Sequence, residues 1–243
     1  MRRALPPPGP LTKDVALFLD LDGTLAPIAQ VPSGVRPDAS RNALISRVRA
    51  FLGGKIAIVS GRPISDVDRI LGGSVAAIAG IHGLERRAAS GRIFTAPAHQ
   101  GLENARAAFE RLANIENGLI VEDKGLSIAL HYRSVPRAQD EIRALARQLA
   151  EETGLSLQEG KMVVELRTPG FDKGDAIAAF MAEAPFSGAR PIFAGDDLTD
   201  EHGFAIVERT GGEGVLVGAA RRTHASRGLA DVDAVHAWLE TAA

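Results

Sequence analysis

Five short stretches of the chain, residues 15–19, 56–59, 75–79, 192–194 and 215–217, are apolar without interruption. Each stops at a small or polar residue, in turn Asp20, Ser60, Gly80, Gly195 and Gly218. Strands covered on both faces carry this signature, so the stretches predict a parallel sheet flanked by helices. Residues 40–51, 65–71, 173–184 and 231–239 place apolar side chains at three- and four-residue spacing, as helices that bury one face do. The core therefore reads as α/β, a Rossmann-like parallel sheet.

From about Pro97 to Pro169 the period changes. Residues 119–122, 127–133, 155–158 and 162–167 alternate polar and apolar positions, which marks an antiparallel sheet with one open face. Helical spacing over 101–115 and 136–153 gives the order helix, strand, strand, helix, strand, strand. This α+β lobe is expected as an insertion at 97–169, with the core split between 1–96 and 170–243.

Composition narrows the possible partners. The 243 residues carry a net charge of −2, 24% charged and 45% hydrophobic side chains, the balance of an ordinary globular protein. Basic residues are interspersed with acidic ones, and one Trp and one Tyr leave little for base stacking, so nucleic acid is not an expected partner. The absence of cysteine excludes disulfides, thiolate metal sites and cysteine nucleophiles. No apolar run approaches the roughly 18 residues of a membrane span, so no membrane association and a cytoplasmic location are expected. The start, with Arg2 and Arg3 ahead of Ala4-Leu5-Pro6-Pro7-Pro8-Gly9-Pro10, lacks the apolar core of a signal peptide and reads as a flexible extension. Protein partners are not legible.

In open parallel sheets ligands bind beyond the carboxyl ends of the strands, and the polar residues of interest lie there. Asp20 and Asp22, two apart in extended chain, point the same way, while Gly23 lets the backbone turn. One carboxylate can attack as nucleophile and the other can move a proton to and from the reacting oxygens. A D-x-D-G segment also occurs as a turn, a helix cap or part of a calcium loop. Asp196, Asp197 and Asp200 would gather at the same edge, where like charges 4 Å apart repel by about 4 kcal/mol at an effective dielectric near 20. A hard divalent cation relieves this, and an all-oxygen site points to Mg2+, ahead of calcium or manganese. Lys173 would add a fixed positive charge, and Ser60 with Gly61 and Arg62 offers a hydroxyl and backbone N–H groups to phosphate oxygens or to a helix cap.

Asp20-Leu21-Asp22-Gly23-Thr24, Ser60, Lys173 and Gly195-Asp196-Asp197 resemble, in order, the four motifs of the haloacid dehalogenase (HAD) superfamily of phosphatases. The resemblance implies Asp20 as nucleophile, Asp22 as general acid/base, and Thr24, Ser60, Gly61 and Lys173 as the phosphate site. It also implies magnesium held by Asp20, the backbone of Asp22 and Asp196, with Asp197 and Asp200 in support. The inserted lobe would then be a cap domain.

On the lobe, Glu122 and Lys124 share a strand parity, as do His131 and Arg133, and Glu165 interrupts an apolar run. These groups suit sugar hydroxyls or an ordinary solvated face. The stretches Ile81-His82-Gly83-Leu84-Glu85, Val121-Glu122-Asp123-Lys124-Gly125-Leu126-Ser127, His131-Tyr132-Arg133, Gly160-Lys161-Met162-Val163-Val164-Glu165 and Gly195-Asp196-Asp197-Leu198-Thr199-Asp200-Glu201 are similar to the trehalose-6-phosphate phosphatase family. That similarity implies a small-molecule sugar phosphate as substrate. Glu122, Lys124 and Glu165 would grip the sugar, Arg133 and Lys161 would line the pocket, and His82 with Gly83 would lie on its core side. A related phosphatase acting on sucrose-6-phosphate or mannosyl-3-phosphoglycerate shares the same core and cap type. A signalling receiver domain shares the acidic cluster and lysine, but needs neither Asp22 nor an inserted lobe.

Overall fold

In the computed structural model, which describes residues 5–29 and 31–242, the chain divides into two compact units. Met1–Phe94 and Phe171–Ala243 form the first, and Thr95–Gly170 the second. The first begins with β1 (Val15–Leu19), α1 (Ala39–Phe51), β2 (Ile56–Val59), α2 (Ile64–Leu71), β3 (Ala77–Gly80), β4 (Glu85–Arg87) and β5 (Ile93–Thr95). The second holds α3 (Leu102–Ile115), β6 (Ile120–Asp123), β7 (Ser127–His131), α4 (Gln139–Thr153), β8 (Ser156–Gly160) and β9 (Val163–Arg167). The first then resumes with α5 (Lys173–Met181), β10 (Arg190–Gly195), α6 (Glu201–Arg209), β11 (Glu213–Val217), β12 (Arg227–Leu229) and α7 (Val232–Leu239).

The large sheet runs β12-β11-β10-β1-β2-β3-β4-β5, parallel from β12 to β3 and antiparallel between β3 and β4. Its central strands are buried on both faces, which is why their sequences do not alternate. Leu17, Leu19, Ile56, Ile58, Val215 and Val217 face α1, α2 and α7, while Ala16, Phe18, Ala57, Val59 and Phe193 face α5 and α6. The rings of Phe180 and Phe186 both stack on Phe18 and fill the second layer.

Three strands and one helix escape the sequence pattern. β4, β5 and β12 have three residues each, too few to display a period. α6 starts at Glu201, the last residue of the acidic segment 196–201, and carries Gly203, which weakens its helical signal. The expectation of a flexible extension is corrected from Leu5 onward, residues 1–4 lying outside the described residues. Gly228 N–H donates to the Pro6 carbonyl at 3.0 Å and Trp238 Nε1–H to that of Gly9 at 2.9 Å, and Leu11 is buried. Prolines lack the N–H, but their carbonyls and an extended backbone suffice for this docking.

The second unit is a four-stranded antiparallel sheet, β6-β7-β9-β8, with two helices on one face. Ile128, Leu130, Val164 and Leu166 pack there against Phe109, Ile142 and Leu149, so the alternate residues must point the other way. Among the described residues no helix is long and apolar enough to cross a membrane.

Candidate active site

The parallel register sets Leu19 opposite Ala194 and Ile58, so β1, β2 and β10 end together. Asp20 N–H donates to Ala194 O and Ser60 N–H to Ala79 O, both at 2.9 Å, which carries the pairing one residue past each strand. Asp20, Ser60 and Asp196 are thereby delivered to one edge. The loop after Asp20 is closed by Leu25 N–H and Ala26 N–H, which donate to Leu21 O at 2.9 and 2.8 Å. Gly23 has φ +84°, and a Cβ there would stand 2.4 Å from the Asp196 carboxylate. A side chain would be strained and would push Asp196 away.

Lys173, the first residue of α5, is set by its neighbour Asp172, whose carboxylate caps the helix by accepting from Gly174 N–H and Asp175 N–H. The lysine Nζ donates to Asp20 Oδ1 at 3.0 Å and to Asp200 Oδ1 at 2.6 Å, and all three residues are buried. Burial alone would lower the Lys173 pKa, but the Asp20 and Asp200 carboxylates prevail and raise it. Asp20 goes the opposite way to an ordinary surface carboxylate. Burial lifts its pKa well above the usual value, and Asp200, Asp196 and Asp22 add to the rise against the opposing Lys173.

Oxygens of Asp20, Asp196 and Asp200 all lie within 4.8 Å of one another. Ligand oxygens around an octahedral Mg2+ at about 2.1 Å are about 3–4 Å apart, so the cluster has the right scale and the right hard donors. One lysine cannot neutralise three carboxylates. Asp200, expected only in support, is a full member of the cluster, whereas Asp197 is not. Asp197 N–H donates to the Asp200 carboxylate at 2.8 Å, and Asp200 N–H donates back to the Asp197 carbonyl at 3.2 Å, which closes the short turn Leu198–Asp200. The Asp22 side chain is also turned elsewhere. Arg62 grips both its oxygens, Nε to Oδ2 at 2.6 Å and Nη2 to Oδ1 at 2.8 Å, and reaches Asp66 as well.

Sequence reasoning placed Arg62 in the Ser60 turn for its backbone but missed the hold of its side chain on Asp22. Its adjacency to Ser60 was visible, but its partner lies 40 positions away and carried no local signal. Ser60 is buried and its Oγ accepts from Arg62 N–H at 3.2 Å. Thr24 is buried, with no hydroxyl partner among the described residues. Ile81-His82-Gly83 is stitched to the Ser60 loop by Ile81 N–H to Arg62 O and His82 N–H to Ser60 O, at 3.0 and 2.9 Å. The His82 ring lies so close to Gly61 that a Cβ there would be 2.5 Å from it, and Gly83 abuts the carbonyl of Asp172. Thus His82 and Gly83 bridge the Ser60 and Lys173 segments.

Within the second unit the polar sheet face collects three of the expected sugar residues. Glu122 and Glu165 both pair with Ala129 of the strand between them. Lys124 places Nζ 3.1 Å from Glu165 Oε2, in an ion pair whose side chains are 9% and 7% exposed. His131 Nε2 lies 2.8 Å from Glu122 Oε2, and Ser127 Oγ 2.5 Å from Glu165 Oε1. Burial would raise the Glu122 pKa, but the His131 hydrogen bond and Lys124 leave it lowered. Arg133 and Lys161 meet separately, Arg133 Nη2 donating to the Lys161 carbonyl at 3.2 Å.

Comparison with known proteins agrees with this geometry. Residues 18–233 match the model of the trehalose-phosphatase family. The trehalose-6-phosphate phosphatase of Escherichia coli K12 is 42% identical over 235 residues, 95% of this chain and 87% of that protein. The C-terminal domain of Candida albicans trehalose-6-phosphate phosphatase superposes with a TM-score of 0.84 over 95% of this chain and 92% of that one, at 21% identity. A Bacteroides thetaiotaomicron phosphatase of the HAD superfamily shares the fold with a TM-score of 0.60, at 18% identity over 92% of each chain. The chain belongs to the trehalose-phosphatase family, with an HAD-type α/β fold.

Proposed function

We propose that this protein hydrolyses trehalose 6-phosphate to trehalose and phosphate by way of a phosphoryl group carried on Asp20. The observation that carries the reading is the junction of Lys173 with Asp20 and Asp200, which holds a buried carboxylate at a strand end where ligands approach. The relative with 42% identity is itself named a trehalose-6-phosphate phosphatase.

Asp20 attacks phosphorus as the bond to the sugar oxygen breaks, and Asp22 supplies the proton that this oxygen takes up. A water then attacks the phosphorylated Asp20 and gives its proton to Asp22, which frees phosphate and restores both acids. Lys173 and Ser60 orient the phosphoryl oxygens, with Gly61 and Thr24 in the same phosphate-binding segments. In the present conformation Arg62 occupies both oxygens of Asp22, so proton delivery requires Arg62 to release one of them. Asp20, Asp196 and Asp200 would hold Mg2+, with the Asp22 carbonyl as a further ligand and Asp197 bracing the turn. Bound there, the ion would neutralise charge on the transferring group.

The second unit is read as the cap, and its polar face binds the sugar through Glu122, Lys124 and Glu165, with Arg133 and Lys161 alongside. The substrate is a small sugar phosphate, and no role for nucleic acid or membrane is proposed. Phosphate release from trehalose 6-phosphate, with and without Mg2+ and beside Asp20→Asn, tests the reading. Release that depends on Mg2+ and vanishes in a folded Asp20→Asn protein is expected. Release that survives Asp20→Asn would contradict it.

A further inference from the structure

We propose that Ser127 and His131 are positioning residues for sugar recognition, each fixing the orientation of one carboxylate of the polar face, Glu165 and Glu122 respectively. The inference rests on the reading of that face as the sugar-binding surface. Neither residue belongs to the helix-facing layer of this unit, whose strand residues are Ile128, Leu130, Val164 and Leu166. Both point to the opposite face, where the register aligns Ser127 with Arg167 and His131 with Val163.

Ser127 is wholly buried, and its hydroxyl donates to Glu165 Oε1 at 2.5 Å, while Lys124 takes Oε2 at 3.1 Å. Glu165 is therefore held at both oxygens, and its plane is fixed. His131 serves Glu122 in the same way by a diagonal contact, since Glu122 pairs with Ala129 and His131 with Ile120. A carboxylate that must receive a sugar hydroxyl at a fixed angle gains affinity when its rotamer is set before the ligand arrives.

The test compares kcat/KM for trehalose 6-phosphate with kcat/KM for p-nitrophenyl phosphate, which has no sugar. In Ser127→Ala and His131→Phe the ratio is expected to fall about 3- to 10-fold, through KM of the sugar phosphate, as expected for one side chain that must be ordered on binding. The same substitutions made on Glu165→Ala and Glu122→Ala backgrounds should add nothing, because the partner is already gone. A purely structural role would lower both substrates together, leave the ratio unchanged, and multiply with the loss in the Glu→Ala backgrounds. Any of these results overturns the proposal. Should Ser127→Ala fail to melt cooperatively, Ser127→Cys, with a similar shape and a weaker donor, is expected to shift the ratio in the same direction. A wild-type protein with no preference for trehalose 6-phosphate would overturn the substrate reading and this proposal with it. A wild-type preference that the variants leave intact overturns this proposal alone.

Discussion

At the strand ends of the first unit three carboxylates, Asp20, Asp196 and Asp200, cluster and Lys173 pairs with two of them, Asp20 and Asp200, whereas on the sheet face of the second each carboxylate has its own partner. There His131 stands against Glu122 and Lys124 against Glu165. The residue types overlap, but the charge balance differs. Clustered buried carboxylates repel one another and raise the Asp20 pKa, a state that a divalent cation relieves. Carboxylates held one to a partner in a sheet face offer fixed acceptors to neutral hydroxyls. Imbalance suits phosphoryl transfer, and balance suits recognition of a sugar.

The strongest way to break this comparison is Lys173→Met, which leaves Asp20 and Asp200 buried without their cation. Removing one partner of a buried ion pair costs about 3–5 kcal/mol, and urea melts should show a loss of that order. Phosphate release should fall by about 10²- to 10³-fold, as for loss of one charge-stabilising donor. Lys124→Met in the second unit should instead spare turnover of a small ester more than that of the sugar phosphate.

Next in size is Glu165→Ala or Glu122→Ala. Each removes a carboxylate acceptor worth about 1.5–3 kcal/mol, so selectivity for trehalose 6-phosphate over p-nitrophenyl phosphate should fall about 10- to 100-fold. Equal losses on the two substrates would place these residues in the chemistry and erase the contrast between the units.

The smallest effect concerns acid. The Glu122 pKa lies below its ordinary value of 4.5. A lowered folded pKa means that the ionised carboxylate stabilises the fold, fully so above the unfolded value. That contribution fades as pH falls from 4.5 through the lowered value. Melting of the wild-type protein should therefore lose more stability across this window than melting of Glu122→Gln.

Much of this arrangement was legible in the sequence because it is periodic or local. Unbroken runs such as 15–19 gave the buried strands, alternation over 127–131 gave the half-open sheet, and Asp20, Ser60, Lys173 and Asp196 stood at predicted element ends. What stayed hidden depends on side-chain direction and on partners far apart in the chain. Asp200 stands with Asp20 and Asp196 in the carboxylate cluster, a place that its spacing after Asp197 does not reveal. Arg62 claims Asp22 across 40 residues, and Trp238 anchors the start of the chain by a bond spanning 229. Neither pairing leaves a mark on a linear pattern.

The contrast between the units is tested most directly by calorimetric titration of Mg2+ into the wild-type protein, Asp196→Asn and Glu165→Gln. One binding site that is lost in Asp196→Asn and kept in Glu165→Gln is the predicted result. Binding that survives Asp196→Asn unchanged would contradict the account.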